Sequence, residues 1–122
     1  MTRLKVMVID DSLVAARKLE TILADMGHQV VKTVASGAAA LEAYRQCTPD
    51  LVTMDITMPD MDGIQATRGI VSAFPDARII MVTSHGQEGM VREALKAGAK
   101  GYVLKPVKVE KLLAMIKMVF VH

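Results

Sequence analysis

Cysteine is almost absent from this chain: among 122 residues only Cys47 carries a thiol. A single thiol makes no internal disulfide and lacks the paired spacing of a zinc site, so neither device is expected to hold the fold. That usage suits a reducing cytoplasm, and Cys47 reads as a plain thiol on a helix surface. Long apolar runs are missing as well. No stretch approaches the ~20 apolar residues that a membrane-spanning helix requires, and Lys117 interrupts the apolar carboxyl-terminal segment. Arg3 and Lys5 precede only a few apolar residues that run straight into two aspartates, which is not the pattern of a signal peptide. Clusters of one charge are missing too. The net charge is +2 and the pI about 8.8, but the lysines and arginines are scattered and none form a nucleic-acid arm. The expectation is a soluble, cytoplasmic protein with no direct nucleic-acid contact and no membrane insertion. A length of 122 residues with 52% hydrophobic content fits one compact domain, read here as residues 1–122, and leaves no room for a second.

What is present is a regular alternation. Five short apolar segments read as strands buried on both faces, because their apolar residues are continuous: Leu4 to Ile9, Gln29 to Val34, Leu51 to Met54, Arg78 to Thr83 and Gly101 to Leu104. Helical periodicity fills the gaps. Ala16, Leu19, Leu23 and Met26 form one stripe, with Ser12 as cap and Gly27 as stop. Ser36 can cap a second helix carrying Leu41 and Tyr44 and ended by Thr48-Pro49. Ile64, Thr67, Ile70 and Phe74 mark a third, ended by Pro75, and Gln87 to Ala97 a fourth, stopped at Gly98. Val109, Leu112, Leu113, Ile116, Val119 and Phe120 give the fifth and clearest stripe. Strands alternating with helices predict an α/β fold, a doubly wound parallel sheet with helices on both faces, because parallel neighbours need crossover connections.

In such sheets ligands sit beyond the carboxyl ends of the strands. Chemistry-bearing residues gather at that edge: Asp10 and Asp11 follow the first strand, Asp55 the third, Thr83 ends the fourth and Lys105 follows the fifth. An Asp-Asp pair after a strand can serve merely as a helix cap, Lys105 alone as a surface lysine and Thr83 alone as a strand residue; the shared edge decides against all three. Carboxylates within about 4 Å repel by roughly 1 to 4 kcal/mol per pair. A fold that gathers three of them needs cations. Lys105 can supply one charge and Mg²⁺, a hard ion that takes oxygen ligands, the rest.

Four stretches carry a family resemblance: Val8-Ile9-Asp10-Asp11-Ser12, Met54 to Gly63, Val82-Thr83-Ser84, and Gly98 to Pro106. With these the chain resembles the receiver domain of two-component response regulators over essentially its whole length, and it looks like a stand-alone receiver. The resemblance implies the flavodoxin-like receiver fold, with strand order 2-1-3-4-5 and five helices; chemotaxis receivers are themselves a known example of that order. It implies that a sensor histidine kinase passes a phosphoryl group to Asp55, forming an acyl phosphate. Mg²⁺ would be held by Asp11, Asp55, the backbone carbonyl of Thr57 and, through water, Asp10. Lys105 neutralises the phosphoryl charge. Thr83 moves to hydrogen-bond the group, Ser84 offers its N–H, and Tyr102 turns inward to fill the space Thr83 leaves. Thr57 and His85 fall where the family tunes hydrolysis of the acyl phosphate. The Lys105–Pro106 bond is usually cis in the family, and partners read the face of helix four, strand five and helix five. The stretches around Asp55 and Gly86-Gln87 look most like the chemotaxis regulators, which makes a flagellar motor or phosphorelay protein a candidate target, with the chain a monomer or weak dimer.

A receiver catalyses its own phosphorylation and dephosphorylation without being a true enzyme. The rival from another class is a haloacid-dehalogenase-like phosphatase, which would use a nucleophile on strand one; the adjacent acids and the lack of a cap domain speak against it. A receiver excised from a larger DNA-binding regulator, or one that is never phosphorylated, are further readings. A nucleotide- or flavin-binding module would want glycines in the first strand-to-helix turn, where this chain has acids. His28 and His122 carry no motif. Ten methionines read mostly as flexible core filling. Met115 and Met118 fall off the core stripe of the fifth helix, in a row with Lys108 and Lys111, which suggests a contact patch for a kinase, a motor or a second copy of the chain.

Overall fold

The computed structural model describes residues 3–58 and 62–121, so Pro59, Asp60 and Met61 of the second signature stretch, and His122, lie outside the described residues. Five strands and five helices alternate: β1 (Lys5–Ile9), α1 (Leu13–Asp25), β2 (Gln29–Val34), α2 (Ala40–Cys47), β3 (Leu51–Asp55), α3 (Gly63–Ala73), β4 (Ile79–Thr83), α4 (Glu88–Ala97), β5 (Gly101–Leu104) and α5 (Val109–Phe120). All neighbouring strands are parallel and the order is β2-β1-β3-β4-β5. The doubly wound, flavodoxin-like architecture expected from the sequence is therefore the one observed.

Two cores lie on the two faces of one sheet. In β1, Val6 and Val8 join the core beneath α1 and α5, whereas Met7 and Ile9 join the core beneath α2, α3 and α4. This division follows from right-handed crossovers, which place helices on opposite faces where the strand order reverses between β1 and β3. Strands β1, β3 and β4 bury nearly every residue, as continuous apolar runs require. The edge strands do not follow that expectation. β2 is half-exposed along its length, and β5 alternates, with Gly101 and Val103 buried and Tyr102 and Leu104 exposed. A strand with a single neighbour is covered less completely, and residue composition alone does not say which strand ends at an edge.

Side-chain caps explain where two of the helices begin. The Ser12 hydroxyl accepts from the N–H of Ala15 at 3.2 Å and opens α1; the Asp62 carboxylate accepts from the N–H of Gln65 at 2.8 Å and opens α3. Ser36 departs from its expected role. Its hydroxyl accepts from the N–H of Ala39 at 3.2 Å and closes a turn, and α2 starts only at Ala40, with Ala39 at its cap position. Gly98 ends α4 with φ of 119°, a left-handed conformation in which glycine meets no Cβ penalty. On α5, Leu112, Ile116 and Val119 are buried as the stripe predicts. Met118 is exposed, but Met115 is half-buried and packs against Gly101 of β5, so it lies nearer the core than its place off the stripe suggested. His28, which carries no motif, is a buried structural residue: its Nδ1 accepts from the N–H of Leu4 at 3.1 Å, and burial lowers its pKa.

The hydroxyl of Thr53 is buried in β3 without a hydrogen-bond partner among the described residues. An unpaired buried hydroxyl costs free energy, whereas valine has nearly the same shape and no polar atom. Thr53→Val is expected to stabilise the fold by about 1 kcal/mol, seen as a higher midpoint of urea unfolding; an unchanged or lower midpoint would mean that the hydroxyl has a partner.

Candidate functional site

The carboxyl-end edge of the sheet brings the candidate residues together. Asp10 follows β1 and Asp55 is the last residue of β3; both are buried, 3% and 7% exposed, while Asp11 is exposed. Their carboxylates offer oxygens that all lie within 4.8 Å of one another. The backbone holds this arrangement in place. The N–H of Asp10 donates to the Val34 carbonyl at 3.1 Å, and the N–H of Ile56 to the Val82 carbonyl at 3.2 Å, so both acid-bearing ends remain sewn to their neighbours. Asp10 Oδ1 in turn accepts from the N–H of Ser12 at 2.9 Å.

Lys105 is the counter-charge. Its Nζ lies 3.1 Å from Asp10 Oδ2 and 3.5 Å from Asp55 Oδ1, and its backbone N–H donates to the Thr83 carbonyl at 2.6 Å. The Lys105–Pro106 bond is cis, as the resemblance implied. One ammonium does not balance the cluster. Burial, and then the neighbouring charge of Asp10, push the Asp55 pKa up from 3.8 to about 7 against the opposing pull of Lys105. Three carboxylates and one ammonium leave two formal negative charges, the deficit that one divalent cation removes. An all-oxygen donor set of this charge fits a hard ion such as Mg²⁺.

The remaining predicted residues fall around this cluster. Thr83 ends β4 and is 1% exposed. Ser84 follows it, and His85 is exposed. Thr57, two positions beyond Asp55, is exposed and accepts from Gln87 Nε2 at 2.7 Å. Tyr102 is 42% exposed on β5, two residues before Leu104, which pairs with Thr83. A cavity of about 70 Å³ is lined by Thr83, Ser84, Glu88, Val91, Tyr102 and Leu104. Lys108, Lys111, Met115 and Met118 line a second pocket together with Tyr102 and His85.

Two residues gain a role that sequence reasoning missed. Gly63, quoted only as part of a signature stretch, opens α3 directly over the backbone of Asp55, and a Cβ there would collide with the Asp55 carbonyl oxygen. Its N–H donates to the Ile56 carbonyl at 2.6 Å. Gln87, read only as a helix start and a subgroup mark, bonds Thr57, Thr83 and Ser84 through its side chain. A glycine followed by a helical pattern was the available signal for the first. A lone glutamine gives none for the second.

Comparison with known proteins agrees with this fold. Residues 6–117 match the family described as the response regulator receiver domain. The chemotaxis protein CheY of Bacillus subtilis is 42% identical over 92% of this chain and 93% of its own length. That of Thermotoga maritima is 38% identical over 94% and 96%. The transcriptional regulatory protein YhcZ of B. subtilis is 40% identical over 90% of this chain but only 52% of its own. Among solved structures, the CheX-CheY-BeF3-Mg²⁺ complex from Borrelia burgdorferi superposes with a TM-score of 0.91 at 36% identity, covering 97% of this chain and 90% of that one.

Two outcomes follow from the site's geometry. Gly63→Ala is expected to destabilise the fold by about 2 kcal/mol or more, because backbone and not a flexible side chain would have to move; an unfolding midpoint equal to the parent's would contradict the close approach. Asp55 has a raised folded pKa, so in chelator its contribution to stability is fully present below about pH 4 and is lost as pH rises through about 7. Asp55→Asn should therefore stabilise the cation-free protein at pH 8, by on the order of 2 kcal/mol, and not at pH 4. Urea unfolding of both proteins in chelator at the two pH values checks the sign.

Proposed function

This chain belongs to the response regulator receiver domain family, a family of phosphorylation-activated signalling switches, and from that membership we propose that Asp55 is the phosphoacceptor of a chemotaxis-like switch. The observation that carries the reading is the joint placement of Lys105 against both Asp10 and Asp55, with a hydroxyl-bearing strand end, Thr83, on the adjacent strand. A sensor histidine kinase is the donor. An Asp55 carboxylate oxygen attacks phosphorus, the bond from phosphorus to the kinase's histidine nitrogen breaks, and the nitrogen keeps the electron pair. Phosphoryl transfer asks little of the protein beyond alignment and neutralisation of spread charge. Lys105 meets part of that charge; Mg²⁺, with Asp10 (through water), Asp11, Asp55 and the Thr57 carbonyl as its ligands, supplies the remainder when bound.

The acyl phosphate then draws the Thr83 hydroxyl and the Ser84 N–H to its oxygens. Tyr102 turns from its exposed position toward the cavity beside Thr83, and the face of α4, β5 and α5 changes shape for its readers. In this reading the domain spans residues 1–122 and catalyses its own phosphorylation and dephosphorylation, with Thr57 and His85 setting the lifetime. Its downstream target is a protein, such as a flagellar motor or phosphorelay component, and it works as a monomer or weak dimer in the cytoplasm. No helix among the described residues is long and apolar enough to cross a membrane. A haloacid-dehalogenase-like phosphatase is not favoured, because the chain matches receivers over nearly its whole length.

Incubation with acetyl phosphate and Mg²⁺ is expected to place one labile phosphoryl group on Asp55, located by mass analysis after borohydride trapping. Asp55→Asn should take up none while keeping its circular dichroism. Label found on another residue, or turnover of added phosphate esters that depends on Asp10 as nucleophile, would overturn the reading.

A further inference from the structure

Gln87 stands at the cap position of α4, yet its side chain makes no capping bond to its own helix. In this it differs from Ser12 and Asp62, whose side chains accept from the third residue onward. Its carboxamide is directed instead to the edge of the sheet. Oε1 accepts from the Thr83 hydroxyl at 2.9 Å and from the Ser84 N–H at 2.8 Å, and Nε2 donates to Thr57 Oγ1 at 2.7 Å. The orientation of the amide is fixed chemically. A backbone N–H can only donate, so the atom facing Ser84 is the oxygen, which leaves the NH₂ group for Thr57. The rest of Gln87 is tied to the same region: its N–H donates to the Ser84 carbonyl at 3.3 Å, and its own carbonyl accepts from Met90 at 3.0 Å and Val91 at 3.2 Å.

Thr83 O–H and Ser84 N–H each carry one proton to donate. In the reading above, both donors serve a phosphoryl oxygen on Asp55. We propose that the Gln87 carboxamide oxygen is an internal stand-in for that phosphoryl oxygen, so that Gln87 is the positioning residue that latches the resting switch. This inference rests on Asp55 being the phosphoacceptor. An incoming phosphoryl group must displace the carboxamide before Thr83 and Ser84 can bind it. A charged oxygen outcompetes a neutral amide because charge-assisted hydrogen bonds are roughly twice as strong. Hydrolysis returns the donors to Gln87. Displacement also cuts the Thr57 tether and frees the residue from which α4 starts, so the first physical consequence of phosphorylation is carried to α4. A ligand shifts such an equilibrium only through differential affinity for its two states, and the contest for these two donors is a source of that difference.

The test compares wild type, Gln87→Met and Thr57→Val, titrated with beryllofluoride in Mg²⁺ and followed by the amide resonance of Ser84. Methionine keeps about the length of glutamine, removes the donor to Thr57 and replaces the carboxamide oxygen by a sulfur that accepts only weakly. Expected for Gln87→Met is a shifted Ser84 resonance before any addition and half-saturation at about five-fold lower beryllofluoride or less, five-fold being the net worth of one of the two latch hydrogen bonds. Thr57→Val, which removes only the tether, should shift half-saturation in the same direction by less, and it carries the test if Gln87→Met does not fold. Unchanged half-saturation in the folded variants, with wild type saturating normally, overturns the latch and leaves Asp55 as acceptor. If wild type binds no more beryllofluoride than Asp55→Asn, the acceptor assignment fails and the latch falls with it.

Discussion

Repulsion among three carboxylates organises this molecule. Asp10 and Asp55 are held at one edge by two adjacent strands whose backbones are hydrogen-bonded to their neighbours around these residues, with Asp11 next along the chain, so the backbones of Asp10 and Asp55 cannot move apart without breaking the sheet. A single lysine reaches two of them. Burial, and then the charge of Asp10 that Lys105 does not offset, raise the proton affinity of Asp55. A site of this kind is poised: a proton on Asp55 and a bound divalent cation are alternative ways of relieving the same excess of negative charge, and the protein's stability is coupled to which one it holds.

Much of this was legible in the residues. Continuous apolar runs located the three central strands because burial on both faces removes the polar alternation, and Ser12, Gly27 and Gly98 marked helix boundaries through chemistry local to themselves. The acids, Thr83 and Lys105 were legible for a related reason. Once strands alternate with helices, the residue after each strand must fall on a common edge, so position along the chain becomes position in space.

What escaped prediction depends on contacts between distant segments. The exposure of β2 and β5 follows from strand order, not from composition. Ser36 has the chemistry of a helix cap, but the chain makes a turn before α2 begins, and the hydroxyl is spent on that turn. Met115 sits off the apolar stripe yet packs on β5, because Gly101 leaves room for it. Gly63 and Gln87 belong to the same class. One is defined by the carbonyl above which it lies, the other by three partners, of which Thr57 is thirty positions away.

Gly63 has a mechanical corollary. With α3 seated on the Asp55 backbone and no slack between them, that flank of the pocket behaves as an anvil. The loop from Thr83 to Gln87, which leads into α4, is bonded to the strand end in part through the Gln87 side chain, whose hydrogen bonds can exchange partners. A chemical event between a stiff wall and a compliant one does its work on the compliant wall, so the fold gives an otherwise isotropic burst of charge a direction of travel.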